Sequence, residues 1–97
     1  MPVVETLTFR LAPGTDESAF LDADRAVQDE LIPNQPGFAR RTTARGDDGD
    51  WLVVTLWRSS EEADSFGTLA ESSPVAEHLR SLLDPASVRR ARYTTLD

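Results

Sequence analysis

Few residue types in this chain can do chemistry. There is one histidine, His78, and there is no cysteine and no lysine. An imidazole can accept a proton near neutral pH, so His78 is the first candidate for a general base. Trp57 carries an indole N–H that can donate to an oxygen, and a ring that can stack on a planar ligand. Thr55 adds a hydroxyl donor two residues earlier. Without lysine there is no Schiff base. Without cysteine there is no thiolate nucleophile, disulfide, Fe–S cluster or thiolate zinc site. A lone histidine excludes a two-histidine metal site within one chain. Asp47, Asp48 and Asp50 are too closely spaced for an EF-hand loop and read as a solvated turn.

These residues must be positioned by elements that the hydrophobic pattern marks out. Val3, Glu5, Leu7, Phe9 and Leu11 alternate with Val4, Thr6, Thr8 and Arg10, which predicts a strand over 3–12. Pro13-Gly14 ends it, and Thr15 or Asp16 can cap a following helix. Phe20, Ala23, Val27 and Leu31 recur at helical spacing and predict that helix over 16–31. Pro33 to Gly37 stops it. A strand over 38–45 follows, then a hairpin turn at 46–50, then the most apolar strand, 51–58. In that strand Trp51, Val53, Thr55 and Trp57 share one face; Leu52, Val54, Leu56 and Arg58 share the other.

Ser59 and Glu62 form a capping-box pattern that opens a second helix, with Ala63, Phe66 and Ala70 inward. Ser72-Ser73-Pro74 interrupts and restarts it. The restarted half carries a stripe of Val75, His78, Leu79 and Leu82. That stripe turns His78 toward the sheet; the bland alternative is a half-buried imidazole bonded to a backbone carbonyl or to Glu5. Arg80 lies about 140° around the helix from Val75, on the solvent side. Trp57 has its own bland alternative, core packing against the second helix. Glu5, early in its strand, is expected to be wet. A last strand runs over 87–96.

The 97 residues make one domain, 1–97, with no linker or repeat. The net charge of −7 argues against nucleic acid and against an anionic membrane surface. No apolar run approaches the ~20 residues of a membrane span. The first twelve residues show no leader pattern, so a cytoplasmic location is expected.

The order β-α-β-β-α-β is the α+β, ferredoxin-like split plan, a four-stranded antiparallel sheet with both helices on one face. The first and third strands are central. Six of the ten arginines then fall on the two edge strands, where charge discourages stray pairing. Two helices cover one sheet face only. The face bearing Leu52, Val54 and Leu56 stays apolar and open, which predicts a homodimer through it.

Four marks together resemble the antibiotic biosynthesis monooxygenase family of the dimeric α/β-barrel superfamily. They are Pro36-Gly37-Phe38 entering the second strand, the hairpin closing in Asp-Gly, the run Trp57 to Ala63, and the Ser73-Pro74 break. The resemblance spans nearly the whole chain. It implies a dimeric barrel with a pocket in each subunit between sheet and helices. The haem-degrading branch would place its Asn, Trp and His at Leu7, Phe66 and Leu79 or Arg80; none matches, so haem is not expected. The polyketide-oxidising branch would place its Trp at Trp57, its Asn at Val53, its Tyr at Ala63 or Phe66, and its Arg at Arg80 if a three-residue gap is allowed.

The expected activity is therefore a monooxygenase that needs no cofactor and no metal, acting on a small planar aromatic, with His78 as base and Trp57 as oxyanion donor. The expected pocket is lined by Leu7, Phe9, Val53, Thr55, Phe66 and Leu82 beside those two. The alternatives are a non-catalytic dimeric ligand-binding protein and a cyclase or isomerase on the same fold.

Overall fold

Seven regular elements of a computed structural model, which describes all residues from Met1 to Asp97, follow the expected order with one helix divided. They are β1 (Val3–Phe9), α1 (Glu17–Ala26), β2 (Phe38–Arg45), β3 (Trp51–Trp57), α2 (Ser60–Glu71), α3 (Pro74–Ser81) and β4 (Arg89–Thr94). The sheet order is β2-β3-β1-β4, and every neighbouring pair is antiparallel. The ferredoxin-like plan holds, with β1 and β3 central.

Local chemistry sets the element ends. Asp16 caps α1 by accepting from the Ser18 amide at 3.1 Å. Ser59 caps α2: its Oγ accepts from the Glu62 amide at 3.2 Å and donates to the Glu62 carboxylate at 3.1 Å. Ser73 caps α3, with Pro74 in the first turn where no amide hydrogen is needed. Gly37 sits at φ 79°, and a Cβ there would overlap the Glu62 carboxylate. The turn into β2 therefore requires glycine for its backbone and for its space.

The differences from the sequence reading have local causes. β1 stops at Phe9 rather than Ala12, because the Arg10 amide leaves the ladder for Ser87 Oγ at 2.8 Å. Leu11 retains only an isolated bridge to Leu83. The helix expected over 16–31 is α-helical to Ala26 and then winds into a π turn at Val27–Leu31, closed by the Ile32 amide on the Val27 carbonyl at 3.0 Å. The extra residue in that turn keeps both Val27 and Ile32 buried. The strand expected over 87–96 is shorter, because Pro85–Ser87 form a 3₁₀ turn first.

Two apolar clusters hold the helices on the sheet. At one end Phe20 packs on Phe9 and Trp51, with ring centroids 5.5 and 4.6 Å apart, joined by Ala23, Val27, Ile32, Val53, Leu79 and Leu83. At the other end Val3, Trp57 and Ala63 pack together, with Phe38 and Phe66 against them. The rungs between these clusters are less covered, and the candidate site lies there. The opposite sheet face carries Val4, Leu52, Val54 and Leu56 half-buried, with Tyr93 exposed and no helix over them.

Candidate functional site

Strand register brings one polar rung to the middle of the helix-facing surface. Arg41 pairs with Thr55, Thr55 with Glu5, and Glu5 with Arg92, so four strands each contribute one polar side chain. Two residues along β1, the next rung reads Thr43, Val53, Leu7 and Arg90. Period-two alternation places all eight on the face that meets the helices.

A cavity of about 360 Å³ opens above these rungs. Trp57 and Phe66 wall one end, with ring centroids 5.1 Å apart. Val27, Leu31 and Ile32 of the π turn wall the other side, with Ala76 and Leu79 of α3. The helix layer is interrupted twice, at the π turn and at the break between α2 and α3, and residues beside both interruptions border the cavity. Apolar walls with a few convergent polar groups suit a small organic ligand.

The charged residues of the wall are held differently from one another. Arg41 is nearly buried, its side chain 6% exposed, and it donates from Nη2 to Asp24 of α1 at 2.6 Å and from Nη1 to Gln28 at 3.3 Å. Asp24 also accepts from Thr43 at 2.8 Å, which locks α1 to β2. Arg92 is shared between Glu5 and Asp64 of α2, at 2.8 Å each. The hydrogen bond that Arg92 donates to Asp64, then the one it donates to Glu5, raises its pKa above the ordinary arginine value, so Arg92 stays cationic at any physiological pH. Arg80 donates to the Ala70 carbonyl at 3.2 Å and meets no carboxylate; the Arg90 side chain has neither a hydrogen-bond partner nor an ion-pair partner.

Of the residues expected around the cavity, Leu7, Val53, Thr55, Trp57 and Phe66 border it. Three do not. His78 is exposed: the inward positions of α3 are Ala76 and Leu79, followed by Leu83. Of the expected stripe, Leu79 is buried and Val75 and Leu82 are half-buried against the core; His78 alone turns outward, and the case for it as the base goes with that. Phe9 is 3% exposed, inside the Phe20–Trp51 cluster rather than on the cavity. Leu82 packs against that same cluster.

Two further expectations hold only in part. Arg80 is exposed, as the helical wheel predicts, and it also borders the cavity. Glu5 is not simply wet; its side chain is 34% exposed, borders the cavity and is paired with Arg92. The sequence reading missed Arg41, Arg90 and Arg92 as wall residues. The signal was available: counting back from the hairpin opposes Arg41 to Thr55, and alternation then turns both toward the helices.

No family model matches this chain, and no curated protein matches it. Solved structures do. SnoaB, a cofactor-independent oxygenase from Streptomyces nogalater, superposes with a TM-score of 0.78 at 18% identity, over 99% of this chain and 94% of that one. A Nitrosomonas europaea protein provisionally named an antibiotic biosynthesis monooxygenase gives 0.79 at 15% identity, over 98% and 90%. One from Bordetella bronchiseptica, named in the same way, gives 0.80 at 12%, over 98% and 97%. The chain has the fold of the antibiotic biosynthesis monooxygenases. No helix is long and apolar enough to cross a membrane.

Proposed function

We propose that this protein is a cofactor-independent monooxygenase acting on a small planar aromatic, working as a homodimer through its open sheet face. The single observation that carries the reading is the apolar cavity over one polar rung, in a fold shared with a cofactor-independent oxygenase.

The chemistry asks little of the protein. A CH₂ group flanked by aromatic rings and conjugated through them to a carbonyl loses a proton to give an extended enolate. The enolate passes one electron to dioxygen, and the radical pair combines into a peroxide at that carbon. Protonation, cleavage of the O–O bond and loss of the second C–H proton leave a new carbonyl and one water. The substrate supplies every electron, so one CH₂ and one O₂ become one C=O and one H₂O. Trp57 and Phe66 would hold the ring, and Thr55 and Arg41, both on the cavity wall, would donate to the developing oxyanion. Glu5 is the proton acceptor in this reading. The other ionisable side chains on the wall are arginines, which do not deprotonate.

The test is dioxygen uptake by the purified dimer with an anthrone, in the presence of a chelator and without flavin. Uptake of one O₂ per quinone formed is expected, reduced at least 100-fold in Glu5→Gln. Binding of the anthrone with no uptake above the protein-free rate would assign the fold a carrier role here and overturn the reading.

A further inference from the structure

Four arginines and one glutamate stand on the cavity wall of a chain whose net charge is −7. Their partners decide what they can do for a ligand. Asp24 neutralises Arg41, and Glu5 with Asp64 holds Arg92. Arg80 and Arg90 meet no carboxylate within 4.0 Å. Four guanidiniums thus face three carboxylates, and the uncompensated charge lies with Arg80 on α3 and Arg90 on β4.

Both residues are exposed, so they stand at the opening rather than on the floor. Arg90 occupies the rung of Leu7 and Val53, one rung along from Glu5. Arg80 is tied by its donated bond to the Ala70 carbonyl, and Ala70 itself borders the cavity. A ligand whose ring lies against Trp57, Thr55 and Val53 would meet these two guanidiniums with its outer edge.

We propose that the site selects ligands that carry an anionic oxygen, carboxylate or phenolate, and that Arg80 and Arg90 are the residues that select it. This rests on the aromatic-pocket reading above and adds the ligand's charge to it. Guanidinium–oxyanion bonds are charge-assisted, and a planar fork suits a carboxylate edge. The chain's overall negative charge repels anions at long range, so the selection acts by contact and survives physiological salt.

The experiment is calorimetric titration of the intact protein with 2-naphthoate, with its neutral methyl ester, and with a nitrophenol whose anion absorbs visibly. At 150 mM salt 2-naphthoate is expected to bind at least roughly 10-fold more tightly than the ester. Arg90→Gln and Arg80→Gln should each weaken 2-naphthoate roughly 10-fold and leave the ester unchanged. Both positions are exposed, so both variants should fold. Arg25→Gln, exposed on α1 and off the cavity wall, is the control and should change nothing. The nitrophenol should bind with its absorption shifted toward the anion, and less so in Arg90→Gln; with 2-naphthoate selected and no such shift, the selected group is a carboxylate. Equal binding of acid and ester, or variants that weaken both alike, would overturn the selection while leaving the pocket. Binding of none of the three probes would overturn the pocket reading as well.

Discussion

Replacing Asp24 with Ala should destabilise the fold by about 2–3 kcal/mol, and the reasoning comes from what surrounds that carboxylate. Asp24 is the one buried charged residue of the chain, with its side chain 13% exposed and that of Arg41 6% exposed. It accepts from Arg41 at 2.6 Å and from Thr43 at 2.8 Å. Its loss leaves a nearly buried guanidinium without its counter-charge and a hydroxyl without its acceptor. Breaking a buried pair from one side costs about 3–5 kcal/mol in general. The lower figure applies here because Arg41 borders an open cavity from which water can solvate it. With a urea slope of about 1–2 kcal/mol/M, the unfolding midpoint should fall by roughly 1–3 M. Asp24→Leu with Arg41→Met should recover most of the loss, since both charges are then removed together. A single variant within about 0.5 kcal/mol of the parent, at unchanged slope, would refute the account; so would a double variant no more stable than Asp24→Ala.

Three further outcomes follow from other contacts. Gly37→Ala should lower stability by about 1–2 kcal/mol by thermal or urea unfolding, because φ is 79° and the new methyl group meets the Glu62 carboxylate. Val54→Asp should convert the proposed dimer to monomer in sedimentation equilibrium, with the monomer still folded by circular dichroism, because the half-buried open face would then carry an unpaired charge. His78→Ala should leave stability within about 0.5 kcal/mol and dioxygen uptake unchanged, because the imidazole is exposed and off the cavity wall.

The strands were legible because alternation is a two-residue signal with little room for error. Trp51, Val53, Thr55 and Trp57 face the helices as their spacing requires, and the hairpin fixes the register that places Arg41 beside Thr55. The helix in front was harder. α3 has only eight residues, and Val75, Ala76, His78, Leu79, Leu82 and Leu83 offer two overlapping stripes. The expected one contains Val75, His78, Leu79 and Leu82; the buried positions are Ala76, Leu79 and Leu83. Nothing in the periodicity separates two stripes that share Leu79. The outcome is set by the break at Ser72 and Ser73, which aims α3 independently of α2. The π turn was illegible for a similar reason: Val27 and Leu31 fit an α-helix as well as the start of a π turn. The wall arginines were missed because edge-strand charge already had an explanation in sheet protection, and one arginine can serve both purposes only if its alternation is checked.

The position of the cavity follows from how the two apolar clusters are spaced. Phe9, Phe20 and Trp51 fill one end of the sheet, and Val3, Trp57 and Ala63 fill the other. Both ends spend their large aromatic residues on packing, and the middle of β1 offers Glu5 and Leu7 instead. A straight α-helix laid across both ends would bury Glu5 and Arg92 against apolar side chains, at a cost of several kcal/mol unless every bond were satisfied. The helix layer avoids this by winding a π turn at Val27–Leu31 and by breaking between α2 and α3, so that the middle rung faces open space. Arg92 then bridges Glu5 on β1 to Asp64 on α2 across that space. On this account the polar rung and the helix irregularities are one feature. Filling the rung with apolar residues would remove the need for both interruptions, and with it the site.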